Sequence, residues 1–274
     1  MSATAPDPVV AIGEADATGE IAELYADIRA TLGVPVVNLI WRHLATIPGG
    51  LPFAWQTVRP LYASGEIASQ AQMLRSRLVV PDLAARDLTG LDASEQQQIS
   101  MIVRSYERSN AMNLIGLSAL LASINPRTAP PLPFANNASV EPEVSGTMPD
   151  AVAVAAMHEA TRALVLRLHP IGGADPIMPT MYRHLSHWPG VLEQFLEVLE
   201  PLHRNGSIMP AIAAANTEGL EVGAALMAQV EASRPIASAQ TCTAVDAAVS
   251  HFVDRMIGKM VVIVAILRRA FPTL

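Results

Sequence analysis

Cysteine is nearly absent: Cys242 stands alone in 274 residues, so no intramolecular disulfide and no CxxC redox pair can form. Aromatic residues make up only 4% of the chain, while Ala, Leu, Met, Glu and Gln abound, a balance that favours helix over sheet. Basic charge is scarce too. With 18 Lys and Arg against 25 Asp and Glu, a net charge of −7 offers no electropositive field for nucleic acid or an anionic membrane surface. The longest strongly apolar stretch, residues 260–267, is far short of the roughly 20 that span a bilayer. The start MSATAPDPVV has neither the basic region nor the apolar run of a secretory signal. GxSxG, HExxH and phosphate-binding glycine loops are missing as well. The expectation is a cytoplasmic, reduced protein without metal or other cofactor.

What is present is helical patterning, and with 51% hydrophobic residues a substantial core can be buried. Ile21, Leu24, Tyr25, Ile28 and Leu32 recur at helical spacing over 18–32, with Glu20 in the first turn. Further helices are predicted over 36–46, 51–62 and 66–79, punctuated by Pro48, Pro60 and Pro81. Ser94 with Gln97 has the form of a capping box, opening a long helix to about 124. Residues 125–149 hold six of the 21 prolines and read as a linker. Helical patterning resumes at Ala151.

The two halves match one another. WRHLATIPGGLPFAWQTVRPLY (41–62) aligns without gaps to YRHLSHWPGVLEQFLEVLEPLH (182–203), with eight of 22 positions identical. Average usage would give roughly one or two by chance. SYERSNAMNLIGLSALLASI (105–124) likewise lies over FVDRMIGKMVVIVAILRRAF (252–271). The prediction is an all-α protein of two pseudo-symmetric helical-bundle repeats, 1–124 and 150–274, joined by the 125–149 linker. The cleft between the copies is the expected site.

A duplicated protein with one active site shows it as asymmetry. Asn110 and Asn113 interrupt the apolar stripe of the first long helix, whereas their counterparts are Ile257 and Met260. Two readings of Asn110 stand: it holds a water or substrate, or it makes an inter-helix hydrogen bond. His43 and His184 occupy equivalent positions, and being kept in both copies they read as packing and hydrogen-bonding elements rather than bases. His184 and His187 have no carboxylate at matching spacing for a metal site. Glu107-Arg108 and Asp254-Arg255 are expected to form ion pairs within or between helices. Asp175, in the GGADP turn, is a loop carboxylate that could reach the cleft.

GEIAELYADIRATLGVPVV (19–37), LATIPGGLPFAW (44–55), the Asn110 helix and HWPGVL (187–192) resemble the group I 2-haloacid dehalogenases from about 19 to 271. The resemblance implies two helical repeats with the active site between them, a homodimer, and a small carboxylic acid substrate. It also implies hydrolytic loss of halide by direct attack of water at C2, giving a 2-hydroxy acid with inversion. Such chemistry needs a carboxylate base, a group orienting water, a carboxylate site and an apolar halide pocket. By resemblance the water-positioning Asn is Asn110, and Val36 and Leu39 take two aromatic pocket positions. Thr180 takes a polar one. Met181 falls where the catalytic Asp belongs, and a thioether cannot deprotonate water. With Asp175 as a candidate replacement base and Asn113 a further pocket residue, the expectation is a dehalogenase-like hydrolase. The alternatives are different chemistry in a more apolar pocket, or a non-catalytic small-molecule binder.

Overall fold

The computed structural model describes residues 9–126, 128, 142–230 and 235–274, and among these the chain is all-α without a strand. The first half holds α1 (Gly19–Leu32), α2 (Leu39–Leu44), α3 (Gly50–Ala63), α4 (Glu66–Arg77) and α5 (Ala93–Ile124). The second holds α6 (Glu159–Leu168), α7 (Thr180–Leu185), α8 (Pro189–Arg204), α9 (Ile208–Ala228), α10 (Ala239–His251) and α11 (Gly258–Ala270). A π-helical turn, Phe252–Ile257, joins α10 to α11. Among the described residues no helix is long and apolar enough to cross a membrane.

The α5 helix is the axle of the fold. Its 32 residues run about 48 Å at 1.5 Å per residue. It is buried on all sides from Ser105 to Ala122, Glu107 excepted, with Arg108, Asn110 and Asn113 as polar interruptions of an otherwise largely apolar surface. Its start lies two residues before the predicted box. The Asp92 carboxylate accepts the Glu95 N–H at 2.9 Å, and Glu95 accepts the Asp92 N–H at 3.0 Å. Ser94 and Gln97 therefore lie within the helix. α2 also begins later than predicted, at Leu39. The Val37 N–H is spent on the Glu14 carboxylate at 2.9 Å, and Asn38 at the helix start is extended, with ψ 149.

Helices of both halves pack on α5: α3 and α4 from the first, α7, α9 and α11 from the second. A single apolar core therefore runs through the chain, from Ile28 and Trp55 to Phe195 and Phe271. Residues 127 and 129–141 of the predicted linker lie outside the described residues. Of the remainder, 142–149 runs back along the first half. There the Val144 N–H donates to Gly33 O at 2.9 Å and Gln98 Nε2 to Thr147 O at 3.2 Å.

In the α5–α9 crossing the helices approach closely at Gly223, where an added Cβ would sit 2.6 Å from the Ala119 backbone N and 2.7 Å from Ile115 O. Backbone cannot rotate away as a side chain can. Gly223→Ala is therefore expected to cost about 1–3 kcal/mol despite its better helix propensity. A urea midpoint equal to or above that of the unsubstituted protein would show that the crossing can relax.

Candidate active site

A cleft opens between the halves, walled by α2, α5, residues 177–181 and the π turn. Its apolar walls are Leu39, Ile40, Ile177, Met178, Pro179, Met181, Phe252, Met256, Ile257 and Met260; Asn38, Tyr106, Asn110, Asn113 and Thr180 are polar. Among the described residues no Asp, Glu, His, Lys or Arg lines it. The π turn lies between α10 and α11. A widened turn re-aims the side chains it carries, here Phe252, Met256 and Ile257, toward the cleft. From α9, Asn216 Nδ2 donates to Asp254 O at 3.1 Å, satisfying a carbonyl within that turn.

The polar edge is built from one face of α5. Tyr106, Asn110 and Asn113 follow one another at i, i+4 and i+7, and all three are buried. Asn113 Oδ1 accepts from Trp41 Nε1 at 3.0 Å and from the Tyr62 hydroxyl at 2.9 Å. Asn38 Nδ2 donates to Ser109 Oγ at 3.0 Å and more weakly to Asn110 Oδ1 at 3.4 Å. These contacts fix which way both amides point. Left without partners are Asn110 Nδ2, Asn113 Nδ2, the Tyr106 hydroxyl and Asn38 Oδ1. Burial drives the ionisation of Tyr106 well above the usual phenol range, against the smaller lowering effects of Arg42, Arg183 and Thr180, so it stays neutral. The cleft thus presents several hydrogen-bond donors within an apolar enclosure, an arrangement suited to a small molecule with one anionic or carbonyl end.

Five of the predicted residues meet here: Leu39, Asn110, Asn113, Thr180 and Met181, the last fully buried. Two do not. Val36 precedes the start of α2 and lines a separate outer cavity with Glu14, Arg42 and His184, on the other side of the Arg42–Thr180 contact. Asp175 is occupied behind the cleft. Its carboxylate accepts the Ile177 N–H at 2.8 Å and faces His251 Nε2 at 3.0 Å, while its carbonyl takes the His169 ring. Lys259 secures the same loop through His169 O at 2.6 Å and Gly173 O at 2.9 Å. Asp175 therefore holds the segment that leads into the cleft and does not line the cleft itself.

Tyr106 and Asn38 escaped the sequence reading. Tyr106 had a usable signal, since it lies four residues before Asn110 on the same helical face. Asn38 is a polar interruption in VPVVNLIW. The histidines serve as carbonyl partners, His43 to Val10 O at 2.8 Å and His184 to Pro149 O at 2.7 Å. Of the acid-Arg pairs, Glu107 bridges to Arg268 at 3.2 Å between helices, and Arg108 donates to Leu32 O. Among the described residues no three His, Cys, Asp or Glu side chains gather as a metal site would require.

Burial pulls the His184 pKa from 6.5 down to about 4, with Arg42, Arg183 and His187 acting in the same direction against the Pro149 hydrogen bond. The unfolded chain therefore takes up this proton first. Stability is fully present above about pH 6.5 and is lost as the pH falls toward 4, by up to about 3 kcal/mol. Urea midpoints measured from pH 7 to 4 should show the fall, and His184→Gln should flatten it. An unaltered slope in that variant would assign the effect to other groups.

No family model matches the chain. A configuration-inverting 2-haloacid dehalogenase of Alcaligenes xylosoxydans xylosoxydans is 27% identical over 228 residues, 70% of this chain and 69% of that protein. The chain is homologous to configuration-inverting 2-haloacid dehalogenases. An (R)-2-haloacid dehalogenase of Rhizobium sp. (strain NHG3) is 36% identical over a shorter stretch of 56 residues, 20% of this chain and 22% of that protein. A solved mutant of a D-2-haloacid dehalogenase superposes with a TM-score of 0.74 over 99% of this chain and 98% of its own, at 19% identity. The fold is thus shared with the dehalogenases end to end.

Proposed function

We propose that the protein is a 2-haloacid dehalogenase-type hydrolase and that the cleft takes a small 2-halo carboxylic acid. The reading is carried by the unpartnered donors Asn110 Nδ2, Asn113 Nδ2 and Tyr106 OH, gathered on one edge of an apolar cleft in a homologue of these enzymes. Asn110 orients water toward C2. The carbon–halogen bond breaks as the carbon–oxygen bond forms on the opposite face, halide leaves with the bonding pair, and water gives up a proton. The product is a 2-hydroxy acid of inverted configuration. Among the lining residues only neutral groups stand near C2, so the proton passes to solvent rather than to a wall carboxylate, and turnover is slow.

Halide release from the two enantiomers of 2-chloropropionate tests this reading. The (R) enantiomer should yield chloride and (S)-lactate, and Asn110→Ala should abolish the yield without lowering the melting temperature. No chloride from either enantiomer would leave a binding protein. The absence of a lining carboxylate favours that second reading.

We further propose that the halves are copies of one ancestral unit and that the protein is a cytoplasmic homodimer. The order of elements supports the first statement. The short helices α2 and α7 end alike in Arg-His-Leu, and each leads into a longer helix with a proline near its end, Pro60 in α3 and Pro201 in α8. The second rests on the resemblance to the dehalogenases, and the mass in solution tests it.

A further inference from the structure

The paired Arg-His-Leu segments do not use their arginines alike. Arg183 is spent on the chain that runs past it: Nε donates to Val152 O at 3.0 Å and Nη2 to Ala151 O at 3.3 Å. The chain passes Arg42 in the same way, with the Ile12 N–H on Arg42 O at 3.1 Å as the Val152 N–H is on Arg183 O at 3.3 Å. The Arg42 side chain nevertheless turns elsewhere. Its Nη2 reaches across to Thr180 Oγ1 at 3.4 Å, and its Nε is buried without a partner. The nearby carboxylate of Glu14 is engaged by Arg29 at 2.5 Å and by the Val37 N–H.

A guanidinium has five donors and cannot shed its charge, so a buried N–H left unpaired on it costs more than one on a neutral amide. Arg42 lines the outer cavity, and its contact Thr180 lines the inner cleft. The two spaces meet at this pair. Arg42 and Arg183 both act on Tyr106 and His184 as nearby positive charges, with Glu14 opposing them at Tyr106.

We infer that Arg42 is the anion anchor of this site: with Thr180 Oγ1 it holds the carboxylate of the acid whose C2 lies against Asn110. The inference takes only its ligand class from the reading above and requires no turnover. Its chemistry is that of a charge-assisted, fork-shaped donor. The anchored group must be anionic, so an acid should bind and its amide should not. A two-point hold, Arg42 on the carboxylate and Asn110 at C2, also fixes which face of C2 meets the water.

Titration calorimetry with propionate and propionamide, neither of which can lose halide, tests it on the intact protein. Propionate should bind at least about 10-fold more tightly than propionamide. Arg42→Gln should weaken propionate by about 10- to 100-fold and leave propionamide unchanged. Arg42→Lys, which keeps the charge but loses the fork, should fall between. Equal affinity for acid and amide, no saturable propionate binding, or full propionate affinity in a folded Arg42→Gln protein would each overturn the anchor. Where Arg42→Gln does not fold, the acid–amide comparison on the unsubstituted protein decides by itself. Arg42-dependent binding without chloride release would sink the hydrolase reading and leave the anchor standing. Chloride release undiminished in Arg42→Gln would do the reverse.

Discussion

Met181→Asp is expected to raise chloride release from (R)-2-chloropropionate by about 10²- to 10⁴-fold, the usual worth of a positioned general base. Met181 is the residue that the dehalogenase resemblance sets at the catalytic carboxylate, and its side chain is fully buried in the cleft wall beside Thr180. Aspartate is shorter than methionine, so the exchange opens room for water rather than crowding it. The new carboxylate would stand near donors already present, the Thr180 hydroxyl and, through it, Arg42. Its burial costs stability all the same. Removing the thioether stem from a closed site costs about 2–5 kcal/mol, so the assay belongs well below the melting temperature. Burial also lifts the carboxyl above its ordinary range. Because the base works only when ionised, the gain should grow with pH through that raised pKa and then level off. A folded Met181→Asp protein that releases no chloride from either enantiomer would show that the cleft has left this chemistry by more than its base.

The helices were legible in the sequence because burial imposes a 3.6-residue repeat that survives divergence. α1 and the end of α5 fall where the apolar spacing puts them. What spacing cannot report is which residue caps a start. Asp92 and Ser94 are both good caps, and only the Asp92–Glu95 exchange of hydrogen bonds decides between them. Nor can it report a π turn. Residues 252–257 keep an apolar pattern that reads as ordinary α-helix while the backbone widens beneath it. In the site, the one-sided asparagines of α5 stood out because their counterparts are Ile257 and Met260, both of which also line the cleft. Arg42 was hidden by the opposite circumstance. It matches Arg183 in sequence, and only the different destinations of two identical side chains set it apart. Asp175 and Val36 do not line the cleft, and sequence separation, which says nothing about direction, could not report that. One is turned into the His169–Lys259–His251 cluster, the other toward the outer cavity.

The two asparagines should separate cleanly when replaced. Asn113→Leu is expected to cost about 2–4 kcal/mol of stability, lowering the melting temperature by roughly 5–12 °C, whereas Asn110→Leu should cost about 1 kcal/mol or less. The difference follows from what each amide oxygen holds. Asn113 Oδ1 is the acceptor for both Trp41 Nε1 and the Tyr62 hydroxyl, and both rings are buried in an aromatic cluster with Trp55, Trp41 edge-on to each of the other two. Leucine fills the volume but leaves the indole N–H with no acceptor, while the phenol falls back on Met112 O at 3.3 Å. Asn110 Oδ1 receives a single bond at 3.4 Å, from a donor that Ser109 already serves at 3.0 Å. Its loss should appear in chloride release instead. Thermal unfolding of the two variants side by side tests the division of labour. Equal melting temperatures would mean that the Trp41–Tyr62 pair does not depend on Asn113, and that α5 carries two interchangeable amides rather than one for the fold and one for the water.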